Sequence, residues 1–304
     1  MEQVKKDSKE FLKTIWKILK SVLYALGHAI KKVFENKKAA IGFCILMFFA
    51  LMAIFGPIIF PYDPTTNWSN RYADPSAEHW LGTDELGRDI FRQLVHGSRD
   101  VLIIAFLTGL ITVGIGTVLG MVSGFLGGIV DKILQAITNL FLTVPSFPIM
   151  LLLAQLFTIE DPFTFALVLS VWSWAGLCRA VRAQILSLKE RDFIQICKVM
   201  KMSRFHIIMK ELMPNIASYI FINFIGTMKA AITGSMGIMM LGLAAFEPSN
   251  WGAMLHRARV QGLVNPKVIR FMMTPLTAIV VFQTGALLFA NGMDEVLNPR
   301  LKVK

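Results

Sequence analysis

The chain has 304 residues and a formal net charge of +11. Hydrophobic residues make up 55% of it and charged residues 17%, and the mean hydropathy is +0.58. Soluble domains hold roughly 45–50% apolar and 25% charged residues. This composition excludes an ordinary soluble enzyme and a disordered protein, and it indicates an integral membrane protein.

The N-terminal segment, residues 1–38, carries ten lysines and four acidic residues. Over residues 11–34, apolar side chains recur at helical spacing beside a lysine face, which predicts a basic amphipathic helix on the anionic inner leaflet. A solvated basic segment that only marks the cytoplasmic side is the alternative. We expect no cleavable signal peptide, because the first apolar stretch comes late and is long enough for a full span.

Windows nearly free of charged residues predict six membrane-spanning helices, since a span needs about 20 mostly apolar residues. They cover residues 39–60, 101–126, 135–158, 163–186, 216–245 and 271–291. Twenty Lys and Arg residues fall in the segments on the N-terminal side of the membrane and eight on the other side. The positive-inside rule then places both termini in the cytoplasm.

Glycine, proline and lysine stand out within the predicted spans. The second span has glycine at every fourth residue, which predicts close helix packing: Gly116, Gly120, Gly124 and Gly128. Pro145 in the third span predicts a kink and is a candidate for a pathway wall. Lys229, near the middle of the fifth span, either faces a pathway, pairs with an acid of another subunit, or marks a span boundary placed wrongly. Trp174 is a further pathway candidate, although Trp in a span is more often an interfacial anchor.

The sequence has no pattern for catalysis or for metal binding. It lacks the glycine-rich phosphate loop, and its five histidines are scattered. The three cysteines fall in spans or on the cytoplasmic side, so no disulfide is expected. We therefore predict no catalytic, cofactor-binding or metal-binding residue.

The inner loop over residues 187–215 is predicted to fold as helix, break and helix. Apolar residues mark one face and basic residues the other: Phe193, Ile194, Cys197 and Met200, against Arg191, Lys198 and Arg204. Such a segment suits docking in a partner's groove. A helix that lies on the lipid surface is the alternative.

Stretches in collinear order between residues 61 and 301 resemble ABC importer permeases of the binding-protein-dependent type, in particular the second permease of the dipeptide, oligopeptide and nickel branch. They are PYDP (61–64), LGTDELGRDIFRQLVHGSRD (81–100), GFLGGIVDKILQ (124–135), TVPSFPIMLLLA (143–154), SNWGAMLHRA (249–258) and LNPRL (297–301). The loop 187–215 resembles the family's coupling loop.

The resemblance implies an all-α membrane protein with six transmembrane helices of the type I importer permease fold. After the N-terminal segment 1–38 and the first span 39–60, it implies an extracytoplasmic loop with an interfacial helix, a five-helix core and a cytoplasmic tail: residues 61–100, 101–291 and 292–304. The chain would lie in a prokaryotic cytoplasmic membrane.

The implied partners are a second homologous permease, two ATPase subunits that hold ATP and Mg²⁺, an extracytoplasmic solute-binding protein and membrane lipid, with no nucleic acid. This chain would form half of an alternating-access pathway for oligopeptides or dipeptides. Nickel or oligosaccharides are alternative substrates. A membrane scaffold that no longer transports, and an exporter or channel, are alternative functions.

The resemblance implies that the coupling loop contacts the ATPase through the following residues: Arg191, Phe193, Gln195, Ile196, Cys197, Lys198, Met200, Lys201, Met202, Phe205 and Pro214. Residues 195–197 replace the family's usual Glu-Ala-Ala, and Lys201 stands where glycine is usual. Glycine there suits a positive φ, which a lysine adopts only at a cost. A turn rebuilt around Ser203 is the alternative.

The resemblance also gives the outer segment a role. A helix over residues 81–98, together with Trp251, would roof the pathway and contact the binding protein through charged residues: Asp84, Arg88, Asp89 and Arg92. A purely structural lid is the alternative. Ser235, where the family often has Glu, is the remaining pathway candidate.

Overall fold

The computed structural model describes residues 31–244, 247–262 and 264–297. Nine helices organise this part of the chain: α1 (Lys37–Ile59), α2 (Ile90–Leu126), α3 (Gly128–Thr143), α4 (Ser146–Leu156), α5 (Pro162–Leu188), α6 (Asp192–Val199), α7 (Arg204–Met240), α8 (Trp251–Gln261) and α9 (Pro266–Leu297). Within the described ranges there is no strand, only an isolated bridge between Thr83 and Asp89. The prediction of an all-α membrane fold is confirmed.

Five helices are long and apolar enough to cross a membrane: α1, α2, α5, α7 and α9. The paired helices α3 and α4 pass the same test together but bend by 87° at their junction. The bundle therefore has up to six crossings. Most of the predicted amphipathic helix over residues 11–34, and the end of the tail 292–304, lie outside the described residues.

The third predicted span, 135–158, is wrong as a single straight helix. Val144 is extended, with φ −89° and ψ 130°, and Pro145 follows it. The ring of a proline disfavours the helical conformation in the residue before it, so α3 stops at Thr143 and α4 starts in a new direction.

The second helix begins earlier than predicted. The expected interfacial helix over residues 81–98 and the span over 101–126 are in fact one helix from Ile90 onwards, and residues 81–89 form a loop. Asp89 caps this helix, because its Oδ1 accepts a hydrogen bond from the Arg92 backbone N–H at 2.8 Å. Charged residues in the first three turns of α2 had marked this stretch as lying outside the membrane.

The core is formed by α2 and α5, the most extensively packed pair of helices. The predicted close approach occurs here: a Cβ at Gly120 would lie 2.6 Å from the carbonyl oxygen of Cys178, and one at Gly124 would lie 2.9 Å from Ile185. Gly128 does not belong to this stripe, because it starts α3 with a φ of +58°. Glycine at these positions lets the two backbones pack directly against each other.

The first and last helices, α1 and α9, pack side by side. At one end of this pair Lys38 Nζ lies 2.6 Å from Glu295 Oε1, and Asn36 Nδ2 donates to Glu295 Oε2 at 2.6 Å. The beginning of α1 and the end of α9 therefore lie together. We call this end of the bundle, which also carries the loop between α5 and α7, the loop end, and the opposite end the outer end.

Candidate functional site

The loop between α5 and α7 lies beyond the end of the bundle and is the candidate coupling loop. Its short helix α6 is held in place by Ile194 and Cys197, which are buried in one cluster with Ile185 of α5 and Ile207 of α7. Cys197 is only 7% exposed, so the expectation that it contacts a partner is wrong. Its side chain instead fixes α6 against the bundle.

The other face of this loop carries exposed apolar side chains. The exposed fractions are 57% for Ile196, 63% for Met200 and 75% for Phe205. Val199, which the sequence analysis did not select, is the most exposed of the group at 82%. Large apolar groups in such numbers outside a membrane bundle indicate a contact surface.

Exposed charged residues lie on the same loop, and cations outnumber the acids Glu190 and Asp192 among them. Arg191, Lys198, Lys201 and Arg204 are all exposed, as is Pro214, whereas Gln195 and Met202 are half-buried and Phe193 is 37% exposed. A cavity of about 460 Å³ lies between the end of α2 and this loop, and its charged lining residues are Lys189, Glu190, Lys198 and Arg204. The charged residues beside the apolar surface are therefore mainly basic and suit an acidic partner surface.

Lys201 occupies the turn that ends α6. Its φ is +53°, the Lys201 N–H donates to Lys198 O at 3.0 Å, and the Met202 N–H donates to Cys197 O at 3.1 Å. These two bonds define a Schellman motif, with Lys201 at the position that glycine usually takes. The expected positive φ is confirmed. Ser203 does not rebuild this turn but caps α7, since its Oγ accepts from the His206 N–H.

At the outer end, a buried ion cluster forms around Asp84. Its carboxylate, 0% exposed, accepts hydrogen bonds from Arg88 Nε at 2.9 Å, Gln93 Nε2 at 3.0 Å and Arg257 Nη1 at 2.9 Å. Burial raises the pKa of Asp84, but the hydrogen bonds and charges of Arg88 and the charge of Arg257 outweigh it and lower the pKa below its usual value. The carboxylate is therefore ionised at neutral pH.

The predicted contact with a binding protein is wrong for four of its five residues, Arg92 being the exception. Asp84, Arg88, Asp89 and Trp251 are all buried, and Trp251 Nε1 donates to Leu94 O at 2.8 Å. Asp84 pairs with Arg88 and Arg257, and Asp89 Oδ2 lies 2.9 Å from His79 Nδ1, so these charges do not face solvent. Only Arg92 is partly exposed, and its guanidinium donates to Pro61 O. The cluster fixes the outer loop onto α8, which agrees with a structural lid.

Within the bundle, a cavity of about 340 Å³ lies between α2, α4, α5 and α7. Its polar lining residues are uncharged and come from all four helices: Thr108, Ser146, Ser173, Asn223 and Thr227. Apolar side chains and small residues of α4, α5 and α7 complete the wall: Phe147, Met150, Leu169, Gly226, Ala230, Ala231 and Gly234.

Of the four predicted pathway residues, two are buried in helix packing. Ser235 is 0% exposed and donates to Ile232 O at 3.0 Å; Trp174 is 8% exposed and donates to Val171 O at 3.0 Å. Neither side chain lines the cavity, so the prediction that Ser235 and Trp174 line a pathway is not supported. Pro145 is exposed at the break beside the cavity, and Lys229 is half-buried on α7 between lining residues.

Comparison with known proteins identifies the class to which this fold belongs. The family described as "Binding-protein-dependent transport system inner membrane component" matches residues 116–303, and "N-terminal TM domain of oligopeptide transport permease C" matches residues 26–75. The chain belongs to this family of transport-system membrane components, and the resemblance inferred from its motifs is confirmed.

Individual relatives are similar along almost the whole chain. The oligopeptide transport system permease protein OppC of Bacillus subtilis is 30% identical over 288 residues, covering 94% of this chain and 93% of the relative. The dipeptide transport system permease protein DppC of Alkalihalophilus pseudofirmus is 32% identical, covering 90% of each. The dipeptide transport system permease protein DppC of Bacillus subtilis is 29% identical, covering 99% of this chain and 89% of the relative.

The polar residues that line the cavity could not be predicted from the sequence. Thr108, Ser173 and Thr227 are small polar residues in apolar helices, and nothing in their spacing marks them. The available signal was Pro145, which predicted a kink in the third span. Four of the five polar residues that line the cavity come from three other helices, and only the tertiary structure brings them together with Ser146 of α4.

Proposed function

We propose that the chain is a permease subunit of an ATP-driven, binding-protein-dependent importer and that its substrates are oligopeptides or dipeptides. Membership of the transport-component family and the relatives named for oligopeptide and dipeptide transport support this proposal. The chain itself performs no catalysis in this scheme. ATP and Mg²⁺ bind to two separate ATPase subunits.

The partners follow from the same scheme. A second, homologous permease completes the pathway, and an extracytoplasmic solute-binding protein delivers the peptide. Closure of the ATPase pair moves the coupling loops together, and the permeases alternate between outward and inward access. The prokaryotic cytoplasmic membrane is the proposed location, with both termini in the cytoplasm.

One observation carries the coupling role: α6 and the following turn have an exposed apolar surface on a loop where exposed cations outnumber acids. Ile196, Val199, Met200 and Phe205 project beyond the bundle, and α6 is anchored to α5 and α7 by buried residues. A short helix held rigidly against two spans transmits displacement to them. Because the charged residues beside this surface are mainly basic, we propose that it docks in an ATPase groove with apolar walls and an acidic edge.

The double variant Met200→Ala, Phe205→Ala tests this role. We expect import of a labelled tripeptide to fall at least about tenfold, because truncating central apolar contacts of an interface typically costs 1–4 kcal/mol each. The permease should still reach the membrane, since both side chains are exposed. Uptake is measured in cells, and ATP hydrolysis is measured in the purified complex.

The matched control is Phe163→Ala, which truncates an aromatic residue, 55% exposed, in the first turn of α5 and away from the loop. Its uptake should equal that of the wild type. The charge reversal Lys198→Glu should uncouple ATP hydrolysis from transport in the same assays. Normal uptake by the double variant would exclude the coupling role, and recovery of the chain without ATPase subunits would favour a scaffold.

A further inference from the structure

The cavity of about 460 Å³ between the end of α2 and the loop from α5 to α7, here called the loop cavity, is lined by cations from three different elements. Lys189 directly follows α5, Lys198 lies on α6, and Arg204 is the first residue of α7. Glu190 is the acidic residue of the same wall. The wall therefore has an excess of positive charge, which favours an anionic ligand.

The three cations of the loop cavity are not neutralised by the protein. Lys189 and Lys198 donate only to uncharged acceptors, a backbone carbonyl at 3.3 Å and a side-chain amide oxygen at 3.4 Å. In the part of the chain that the structure describes, the guanidinium of Arg204 has no hydrogen bond, and Glu190 forms no ion pair with any of the three. Their charges are therefore available to an anion, and an arginine can bind two phosphate oxygens at once.

Apolar side chains give an independent observation. They complete the wall of the loop cavity: Phe125, Leu126, Met202 and Ile207. Leu126 is 42% exposed, and α3 begins two residues later with an apolar stripe. Ile129, Ile133 and Leu140 on this stripe are 70%, 54% and 61% exposed, and their spacing of four and seven residues places them on one face. Because α3 is the first half of the bent pair that can cross the membrane, the loop cavity lies where apolar spans give way to charged residues.

The loop cavity is on the opposite side of α6 from the surface proposed to contact an ATPase. Residues two positions apart on a helix lie about 160° apart around its axis. Lys198 is two positions after Ile196 and two before Met200, so it lies nearly opposite both of these exposed apolar residues. Lys198 lines the space between α6 and the bundle. A ligand in this space therefore approaches from the membrane side of the loop.

The geometry points to a binding site in the loop cavity for the phosphate group of an anionic phospholipid, such as phosphatidylglycerol, whose acyl chains lie along the apolar stripe of α3. Phosphate oxygens accept hydrogen bonds from lysine and arginine, and basic pockets between membrane helices bind anionic head groups. In the proposed orientation this lipid belongs to the cytoplasmic leaflet. The inference requires only that the chain crosses a membrane, so it stands or falls independently of peptide import.

The test is native mass spectrometry of the full-length chain in mild detergent, alone and in complex with the subunits that copurify with it. Dioleoyl-phosphatidylglycerol and dioleoyl-phosphatidylcholine are titrated separately, and the fraction of protein with one bound lipid gives an apparent Kd. We expect phosphatidylglycerol to bind at least about tenfold more tightly, because its head group has a net negative charge and that of phosphatidylcholine has none.

Two variants assign the preference to the loop cavity. Arg204→Gln should weaken phosphatidylglycerol binding about tenfold, because hydrogen bonds to charged groups contribute roughly 1.5–3 kcal/mol. Lys210→Gln is the matched control, since Lys210 is an exposed cation of the same helix that does not line the cavity. Glu190→Gln should strengthen binding a few-fold, because it removes the negative charge from the wall. A variant that only disturbed the fold would not bind the lipid more tightly.

Inorganic phosphate and glycerol 1-phosphate, each in large excess, separate a lipid from a soluble anion. We expect neither to displace phosphatidylglycerol, because the acyl chains add the burial of apolar surface to the binding of the head group. Displacement by either one would assign the loop cavity to a soluble phosphate and overturn the lipid assignment.

Three further results would overturn the inference. The first is equal affinity of the wild type for phosphatidylglycerol and phosphatidylcholine. The second is an equal effect of Arg204→Gln and Lys210→Gln, or weaker binding by Glu190→Gln. The third is a lipid that binds the chain alone and is lost in the complex, which would assign the loop cavity to an acidic segment of a partner subunit.

Discussion

Arg257 connects the outer loop to the helices that follow it. Its Nη1 lies 2.9 Å from Asp84 Oδ2 and 3.1 Å from Glu85 Oε1, and its Nη2 donates to Gln93 Oε1 at 2.6 Å. The guanidinium carbon also lies 4.9 Å from the ring centre of Phe271, which adds a cation–π contact. One side chain therefore joins the loop, α2, α8 and α9.

The variant Arg257→Met should lower the free energy of unfolding by about 3 kcal/mol, because it leaves buried carboxylates with less compensating charge. The melting temperature of the purified chain in mild detergent is the measurement. Arg259→Met is the control, since Arg259 is exposed on the same helix. Equal melting temperatures for the two variants would show that the buried cluster contributes nothing to stability.

The turn at Lys201 offers a stabilising substitution. Left-handed backbone costs an L-residue roughly 1–2 kcal/mol, and glycine avoids most of this cost. Lys201→Gly should therefore slow amide hydrogen exchange in α6 by a few-fold, and Lys201→Val should speed it. Faster exchange in the glycine variant would mean that the lysine side chain, not its backbone conformation, supports the turn.

Contacts between residues far apart in the sequence could not be predicted from the sequence. Asp84 and Arg257 are 173 positions apart, so their charges appear in the sequence as two exposed patches. The positive φ at Lys201 could be anticipated only through the family resemblance, because glycine is usual at this position and suits that backbone conformation. Burial of an ion cluster depends on which helices meet, which one sequence does not reveal.

The helix pair α2 and α5 depends on the absence of side chains at its contact. A Cβ at Gly120 would lie 2.6 Å from Cys178 O and 2.8 Å from Val181 Cβ. Gly120→Ala should therefore destabilise the protein by about 1–3 kcal/mol through overpacking. Melting in mild detergent measures the effect. Gly114→Ala, in the same helix with open space around it, should be neutral or slightly stabilising.

Prediction at the level of helices succeeded where lipid imposes a simple rule. A membrane-spanning helix must satisfy its own backbone and present apolar side chains, so charge-free windows predicted the ends of α1 and α5 to within two residues. The helix α9 extends five to six residues beyond its window at each end, and α7 begins twelve residues before its window. The start of α2 was missed because Arg92, Arg99 and Asp100 in its first three turns interrupt the charge-free pattern. The prolines predicted a kink before α4, but the 87° angle depends on the helices packed around it.

At the scale of the whole molecule, the beginning of α1, the end of α9 and the candidate coupling loop lie at one end. We expect a green fluorescent protein fused after Lys304 to fluoresce, since it folds in the cytoplasm, and alkaline phosphatase fused after Asn70 in the outer loop to be active, since it folds only outside. The two reporters are compared at equal expression. Activity of alkaline phosphatase fused at the C-terminus would show that the chain has the opposite orientation in the membrane. It would exclude a contact between α6 and a cytoplasmic ATPase.

The contact between α1 and α9 has a consequence for how the chain can be connected. With Lys38 and Glu295 in an ion pair, the path of the backbone closes on itself at the loop end of the bundle. A short linker between these two helices would give a circular chain that could be reopened at another loop, such as residues 157–161 between α4 and α5. The order in which the helices are synthesised could then be changed without altering which helices touch.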